Sequence, residues 1–236
     1  MDMANIKKIY HGSSGIIEAP KLGLGRKNND YGRGFYCTES MDLAKEWACT
    51  LTGGGFCNCY DLDMTMLNVL DLNSGEYSIL NWMAVLIEHR LFSTGTPVAG
   101  KAKKYLADNF SVNVNAYDVI KGWRADDAYY DFADAFLNNA ITVEQLSGAM
   151  ALGDLGEQIV LKSQLAFDSL SYTESIRAES SIFYPKRKAR MESDERGYYR
   201  ICEKTSEGLY IMDLMREGVN NDDSRIPRNI PKASHD

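Results

Sequence analysis

With 236 residues, 44% of them hydrophobic and 25% charged, the chain has the ordinary globular mixture, and its length suits one domain with a sizeable insert or tail. A net charge of -7 argues against bulk affinity for nucleic acid or an anionic membrane, because either would draw on a cationic excess. No apolar run of signal-peptide length follows the opening MDMANIKKIYHGSS, and nowhere do about 18 apolar residues run uninterrupted, so a cytoplasmic protein is expected. The five cysteines (Cys37, Cys49, Cys57, Cys59, Cys202) are odd in number and irregularly spaced, which predicts reduced thiols and no structural disulfide.

Ile6 to Tyr10 has the β-branched and aromatic character of a short strand that Gly12 to Gly15 break, which leaves His11 at the strand's end. A glycine-rich, charged loop (Lys21 to Asp30) leads to a second short strand, Phe35 to Thr38. Ser40 then caps a helix through about Leu51, with Leu43, Trp47 and Leu51 on one expected core face. Gly53 to Gly55 end that helix, and Phe56 to Asp63 and Leu67 to Leu72 read as strands. Helical spacing follows over Ser78 to Phe92 and Lys101 to Phe110, a predicted helical insertion over about 74–115 with no assignable role. Tyr117 to Gly122 is strand-like and Asp127 to Leu137 helical; Thr142 and Gln145 form a capping box for another helix, and GEQIVLKS reads as a strand. Beyond Tyr172 the pattern predicts a helical extension, with helices around Ala178 to Arg190 and Leu209 to Glu217 and a loose tail from Asn220. The class is α+β, with one domain over 1–172 and a C-terminal helical extension over 173–236. The uneven strand spacing excludes a regular βαβ array.

Tyr10-His11-Gly12-Ser13 puts an imidazole at a strand exit beside backbone that a ligand can approach closely. A partly buried histidine bonded to a neighbouring strand is the other reading. The block Asp30 to Thr38 gathers glycines, aromatic rings and the cation Arg33, which suits a flat cationic ring stacked on Tyr36; an ordinary strand entered through Gly32 and Gly34 also fits. His89, in an apolar helix, and His235, in the tail, carry no functional weight. Lys186 to Arg190 can meet phosphates or form a solvated helix face. Cys57-x-Cys59 lacks the spacing of common zinc sites, and Gly23 and Gly25 form no dinucleotide fingerprint, so no metal and no Rossmann domain are expected.

IYHGSSGIIEAPKL, DYGRGFYCTESMDLAKEWA, YDVIKGWRADDAYY, GEQIVLKSQLAFDSL and EGLYIMDLMREG, in this order over about residues 6 to 217, resemble a bacterial family of uncharacterised proteins in the ADP-ribosyltransferase superfamily. They resemble its histidine-tyrosine-glutamate branch, which includes diphtheria toxin and the poly(ADP-ribose) polymerases. The resemblance implies a split, curved antiparallel sheet core and transfer of ADP-ribose from NAD to a protein or nucleic acid, with no metal. It implies that His11 bonds a ribose hydroxyl, that Gly12 offers backbone to the nicotinamide amide and that Tyr36 stacks on its ring, with Ser13 and Gly34 beside them. The branch's third position is a glutamate that stabilises the developing oxocarbenium ion. Here it falls on Glu157 or Gln158, which strand alternation turns to opposite faces; Gln158 matches the pattern better, and as an amide it lacks the charge that would favour that cation. Asp126 matches an Ala-Asp-Asp feature and lines the cleft or, with Asp127, caps the next helix. Relatives of this type often act as toxins in toxin-antitoxin or phage-defence systems, so the resemblance implies a neutralising antitoxin partner; the alternative, from the missing glutamate, is a binding module that holds NAD or ADP-ribose without transferring it.

Overall fold

The computed structural model describes residues 5–92, 95–125, 127–152, 157–203 and 207–228. Strand β1 (Ile6–Ser13) runs antiparallel to β3 (Gly55–Asp63), and β3 in turn pairs antiparallel with β7 (Leu170–Ala178). A second sheet has the order β2 (Phe35–Cys37), β6 (Glu157–Leu161), β5 (Val119–Trp123), β4 (Val69–Asp71). The expected all-antiparallel core is corrected here, because β4 and β5 are parallel. Parallel neighbours need a long crossover. Helices α2 (Ile79–His89) and α3 (Pro97–Phe110) supply it, so the segment that looks inserted in sequence closes the second sheet.

The two sheets face each other over one apolar layer. Ile9, Tyr60 and Leu62 of the first sheet and Cys37, Val119, Ile159 and Leu161 of the second are all buried there. The opposite face of the second sheet carries Leu70, Ile120 and Val160 into the largest core cluster, with α2, α4 (Asp127–Leu137), α5 (Val143–Leu152) and α8 (Ile211–Glu217). Every residue of α2 from Ile79 to Ile87 is buried. Thr142 and Gln145 form the predicted reciprocal cap of α5, at 2.9 and 3.1 Å.

The predicted helical extension gives way to a strand in its first residues. After the short α6 (Gln164–Asp168), Leu170 to Ala178 continue the first sheet as β7, and only then does α7 (Ser180–Cys202) begin. Helix α1 (Met41–Ala48), capped by Ser40 Oγ on the Leu43 N–H (3.3 Å), packs on the outer face of the first sheet. It stops at Cys49, earlier than expected, because Thr50 and Gly53 pair in a tight turn; Leu51 is thereby 74% exposed and outside the core. The basic run of α7 is a clamp rather than a free face. Arg190 Nε and Nη2 reach both oxygens of the buried Glu46 of α1 at 3.1 and 3.0 Å, Lys186 reaches Asp42, and Arg187 donates to the Cys49 carbonyl.

A buried carboxylate left without its cation is costly, whereas the intact pair adds little over apolar neighbours. Arg190→Leu is therefore expected to lower unfolding stability by about 3 kcal/mol in urea denaturation, and adding Glu46→Leu to recover most of the loss. A single variant as stable as the parent contradicts the clamp.

Candidate functional site

The two sheets meet at one bridge. Tyr10 and Thr38 exchange both backbone hydrogen bonds (2.8 and 2.9 Å), and beyond them β1 follows β3 while β2 turns back along β6. In the gap, the His11 ring lies 2.7 Å by Nδ1 from the Tyr36 carbonyl and stacks on Phe35 at 4.4 Å. A carbonyl only accepts, so Nδ1 carries the proton and Nε2 of the neutral ring is an acceptor. Burial holds the His11 pKa below its ordinary 6.5, against the opposing effect of that hydrogen bond. Gly12 is a steric requirement: a Cβ there would overlap the Ala44 carbonyl oxygen of α1.

Asn58, fully buried and opposite His11 on β3, fixes the strand exit. Its Nδ2 donates to Ser13 Oγ (2.9 Å) and the His11 carbonyl (3.2 Å), and its Oδ1 accepts from the Ile17 N–H (2.9 Å) and the Ser175 hydroxyl (2.7 Å). The loop from there to β2 is anchored by Tyr31, fully buried, whose hydroxyl donates to the Trp123 carbonyl and accepts from Trp82 Nε1 at 3.1 Å. A Cβ at Gly122 would collide with that hydroxyl. The Tyr36 hydroxyl donates to the Gly32 carbonyl (2.6 Å) and accepts the Tyr31 N–H (3.0 Å), so its ring is held from both ends. Burial pushes the Tyr36 pKa far above the ordinary phenol value, so it is no base.

These elements border a cleft of about 660 Å³ that His11, Gly12, Gly34, Phe35, Tyr36 and Gln158 line. Among the described residues, Lys21 and Arg26 of the loop, Arg90 at the end of α2 and Arg124 past the end of β5 also line it, against one lining carboxylate, Asp30. Asp30 is buried, accepts the Ala125 N–H at 2.9 Å and lies 3.7 Å from Arg90. The Arg124 guanidinium lies over the Trp47 ring at 4.8 Å, and Trp47, expected in the core, lines the cleft half-buried.

Strand alternation separates Glu157 from Gln158. Glu157 Oε2 pairs with Lys121 Nζ (2.8 Å) and its Oε1 accepts from Asn73 (2.9 Å), away from the cleft. Gln158 is 5% exposed, and its side-chain oxygen has no hydrogen-bond partner. Since Tyr36 pairs with Val160, Gln158 is its diagonal neighbour on the same face, at roughly 7–8 Å between backbones. Of the sequence candidates, the structure brings His11, Gly12, Gly34, Tyr36 and Gln158 to one cleft. It leaves Ser13 outside the lining, with its hydroxyl donating to the Gly15 carbonyl, and Asp126 lies outside the described residues. Arg33 is exposed and also outside the lining. Cys37, Cys49, Cys57 and Cys59 are buried free thiols, and no described His, Cys, Asp and Glu side chains gather in threes to hold a metal. Among the described residues no helix is long and apolar enough to cross a membrane.

The chain belongs to a family described as proteins of unknown function (DUF3990), whose model matches residues 7–172. Comparison with curated proteins and with solved structures found no match. The matched span contains both sheets, apart from the end of β7 and the first residue of β1, and every residue that lines the cleft.

Tyr36→Phe strands the Tyr31 N–H and the Gly32 carbonyl in a buried loop, and a loss of about 1–3 kcal/mol is expected in urea denaturation. No loss would mean that the hydroxyl does not hold the ring. His11 and His89 both have pKa values lowered by burial, so the stability they contribute is full above about pH 6.5 and declines as pH falls below it. Between pH 6.5 and 5, the stability of the parent should fall more steeply than that of His11→Asn, by up to about 1.4 kcal/mol per pH unit. Parallel curves contradict a neutral buried His11.

Proposed function

For this member of the family, we propose an NAD-dependent ADP-ribosyltransferase whose acceptor is a macromolecule. The observation that carries the reading is the meeting of His11, Tyr36 and Gln158, far apart in sequence, along one cation-lined cleft where the two sheets part. A split sheet with a histidine and a tyrosine at the parting is what the sequence resemblance leads one to expect. The cleft's volume lies in the range of about 300–1,000 Å³ usual for small-molecule sites, and the cations along it suit the pyrophosphate of a dinucleotide. His11 Nε2 accepts a hydrogen bond from a ribose hydroxyl, the ring of Tyr36 receives the nicotinamide, and the unpartnered oxygen of Gln158 accepts from the hydroxyl next to the reacting carbon. As the bond from that carbon to nicotinamide breaks, its electron pair leaves with the nicotinamide. The acceptor's lone pair then forms the new bond, and its proton passes to water. A toxin role and a neutralising partner protein belong to the same proposal, by resemblance.

One observation favours a second reading. Gln158 brings no charge to a developing cation, the nearby Glu157 is committed to Lys121 and Asn73, and Asp30 is engaged by Ala125 and Arg90. A protein that binds NAD or ADP-ribose without transfer fits those facts.

Incubation with NAD labelled in its adenylate half, together with cell lysate, separates the two. The transferase reading predicts label on a macromolecule and free nicotinamide, both lost in His11→Ala and Tyr36→Ala. Bound NAD with no nicotinamide released is the outcome of the binding module, and absence of NAD binding contradicts both. Gln158→Glu is expected to raise nicotinamide release by about tenfold or more, because it restores a charge beside the cation. No increase would mean that Gln158 does not face the reacting sugar.

A further inference from the structure

The cations of the cleft stand on two walls. Lys21 and Arg26 come from the loop between β1 and β2, whereas Arg90 and Arg124 come from the ends of α2 and β5. Arg124 stands two residues beyond Gly122, the cross-strand partner of Gln158, so strand alternation directs it to the face that Gln158 shares. Asp30 holds this wall together by accepting the N–H of Ala125, next to Arg124, and by its ion pair with Arg90. Under Arg124 lies Trp47, whose indole N–H has no hydrogen-bond partner. An indole N–H only donates, so this wall offers donors and positive charge, and its complement is an anion with several acceptor oxygens.

NAD does not by itself call for both walls. Its two phosphate charges are adjacent and are offset in part by the positive nicotinamide ring, so a single cationic wall answers them. Resting on the transferase reading above, in which Gln158 meets the sugar carbon under attack, the wall beside Gln158 faces the incoming acceptor. We propose that Arg90, Arg124 and Trp47 form an acceptor subsite and that the acceptor is a single-stranded nucleic acid, one of whose backbone phosphates this wall holds. A single strand supplies a phosphate at each nucleotide and a base free to approach the sugar; a basic protein surface would be repelled by the same arginines. The chain's net charge of -7 opposes a duplex laid along its surface. In the transfer, a base nitrogen or a hydroxyl of the strand bonds the sugar carbon, nicotinamide leaves with its electron pair, and the acceptor's proton goes to water.

The test uses the full chain and fluorescein-labelled single-stranded DNA and RNA oligonucleotides, titrated by anisotropy without NAD, alongside calorimetric titration of NAD without oligonucleotide. At least one of the two strands is expected to bind. Arg124→Gln should weaken that binding by about tenfold and lower the slope of log K against log salt by about one. Trp47→Phe, which keeps the ring and removes the donor, should weaken it by about threefold, and Lys101→Gln, on the far exposed face of α3, should leave it unchanged. Arg124→Gln should weaken NAD binding at least fivefold less than strand binding, and circular dichroism checks that each variant is folded. NAD binding with no strand binding overturns this proposal and leaves the transferase reading standing; strand binding without NAD binding keeps the phosphate subsite and removes the transferase. Equal losses for NAD and strand in Arg124→Gln assign the wall to NAD and overturn the proposal, as does label that passes from NAD to protein and to no nucleic acid in a lysate whose nucleic acids are intact.

Discussion

The hydrogen bond between His11 Nδ1 and the Tyr36 carbonyl, 2.7 Å long, spans the place where two sheets joined by the Tyr10–Thr38 bridge separate. Backbone pairing ends there, and an imidazole takes over the connection. The exchange has two consequences: the parting stays open as a cleft, and the histidine tautomer is fixed, while the backbone ladder of β2 and β6 sets Tyr36 beside Gln158. The surrounding residues serve the same geometry. Gly12 lets α1 approach to backbone contact behind His11, Asn58 ties down the strand exit, and Tyr31 and Gly32 hold the phenol.

Much of this was legible in the sequence, and what was not has identifiable causes. The first two strands and α2 announced themselves through β-branched runs, glycine breaks and helical spacing. Strand β7 did not, because a register shift opposite Cys59 and Tyr60 turns Tyr172 toward one face of the sheet and Ile176 toward the other. A period of two cannot be read across such a bulge. Trp47 has core spacing within α1, but the helix ends a turn early and its ring meets Arg124 instead. Asn58, between two buried cysteines, looks like any polar residue of a strand; only the pairing with His11 reveals its task. Arg90 and Arg124 are invisible as a pair because the β4–β5 crossover brings together two chain ends that sequence gives no reason to join.

The electrostatics of the cleft suit an anionic ligand. Positive side chains gather along it while the chain as a whole is acidic, which concentrates an anionic ligand at one place rather than over a surface. Where the proposed transfer calls for a carboxylate, the sheet presents a buried amide with an unmet acceptor, Gln158. The basic run of α7 is spent on the buried Glu46 and its neighbours and is no free cationic face.

In the proposed function NAD binds where the sheets part, and the neutral His11 ring accepts from it through Nε2. Long-range proton–nitrogen NMR of the histidine rings during titration with NAD tests it most directly. His11 is expected to stay protonated on Nδ1 throughout, with its Nε2 resonance moving upfield as NAD is added while that of His89 stays in place. A His11 protonated on Nε2, or a His11 spectrum that saturating NAD leaves unchanged, would contradict it.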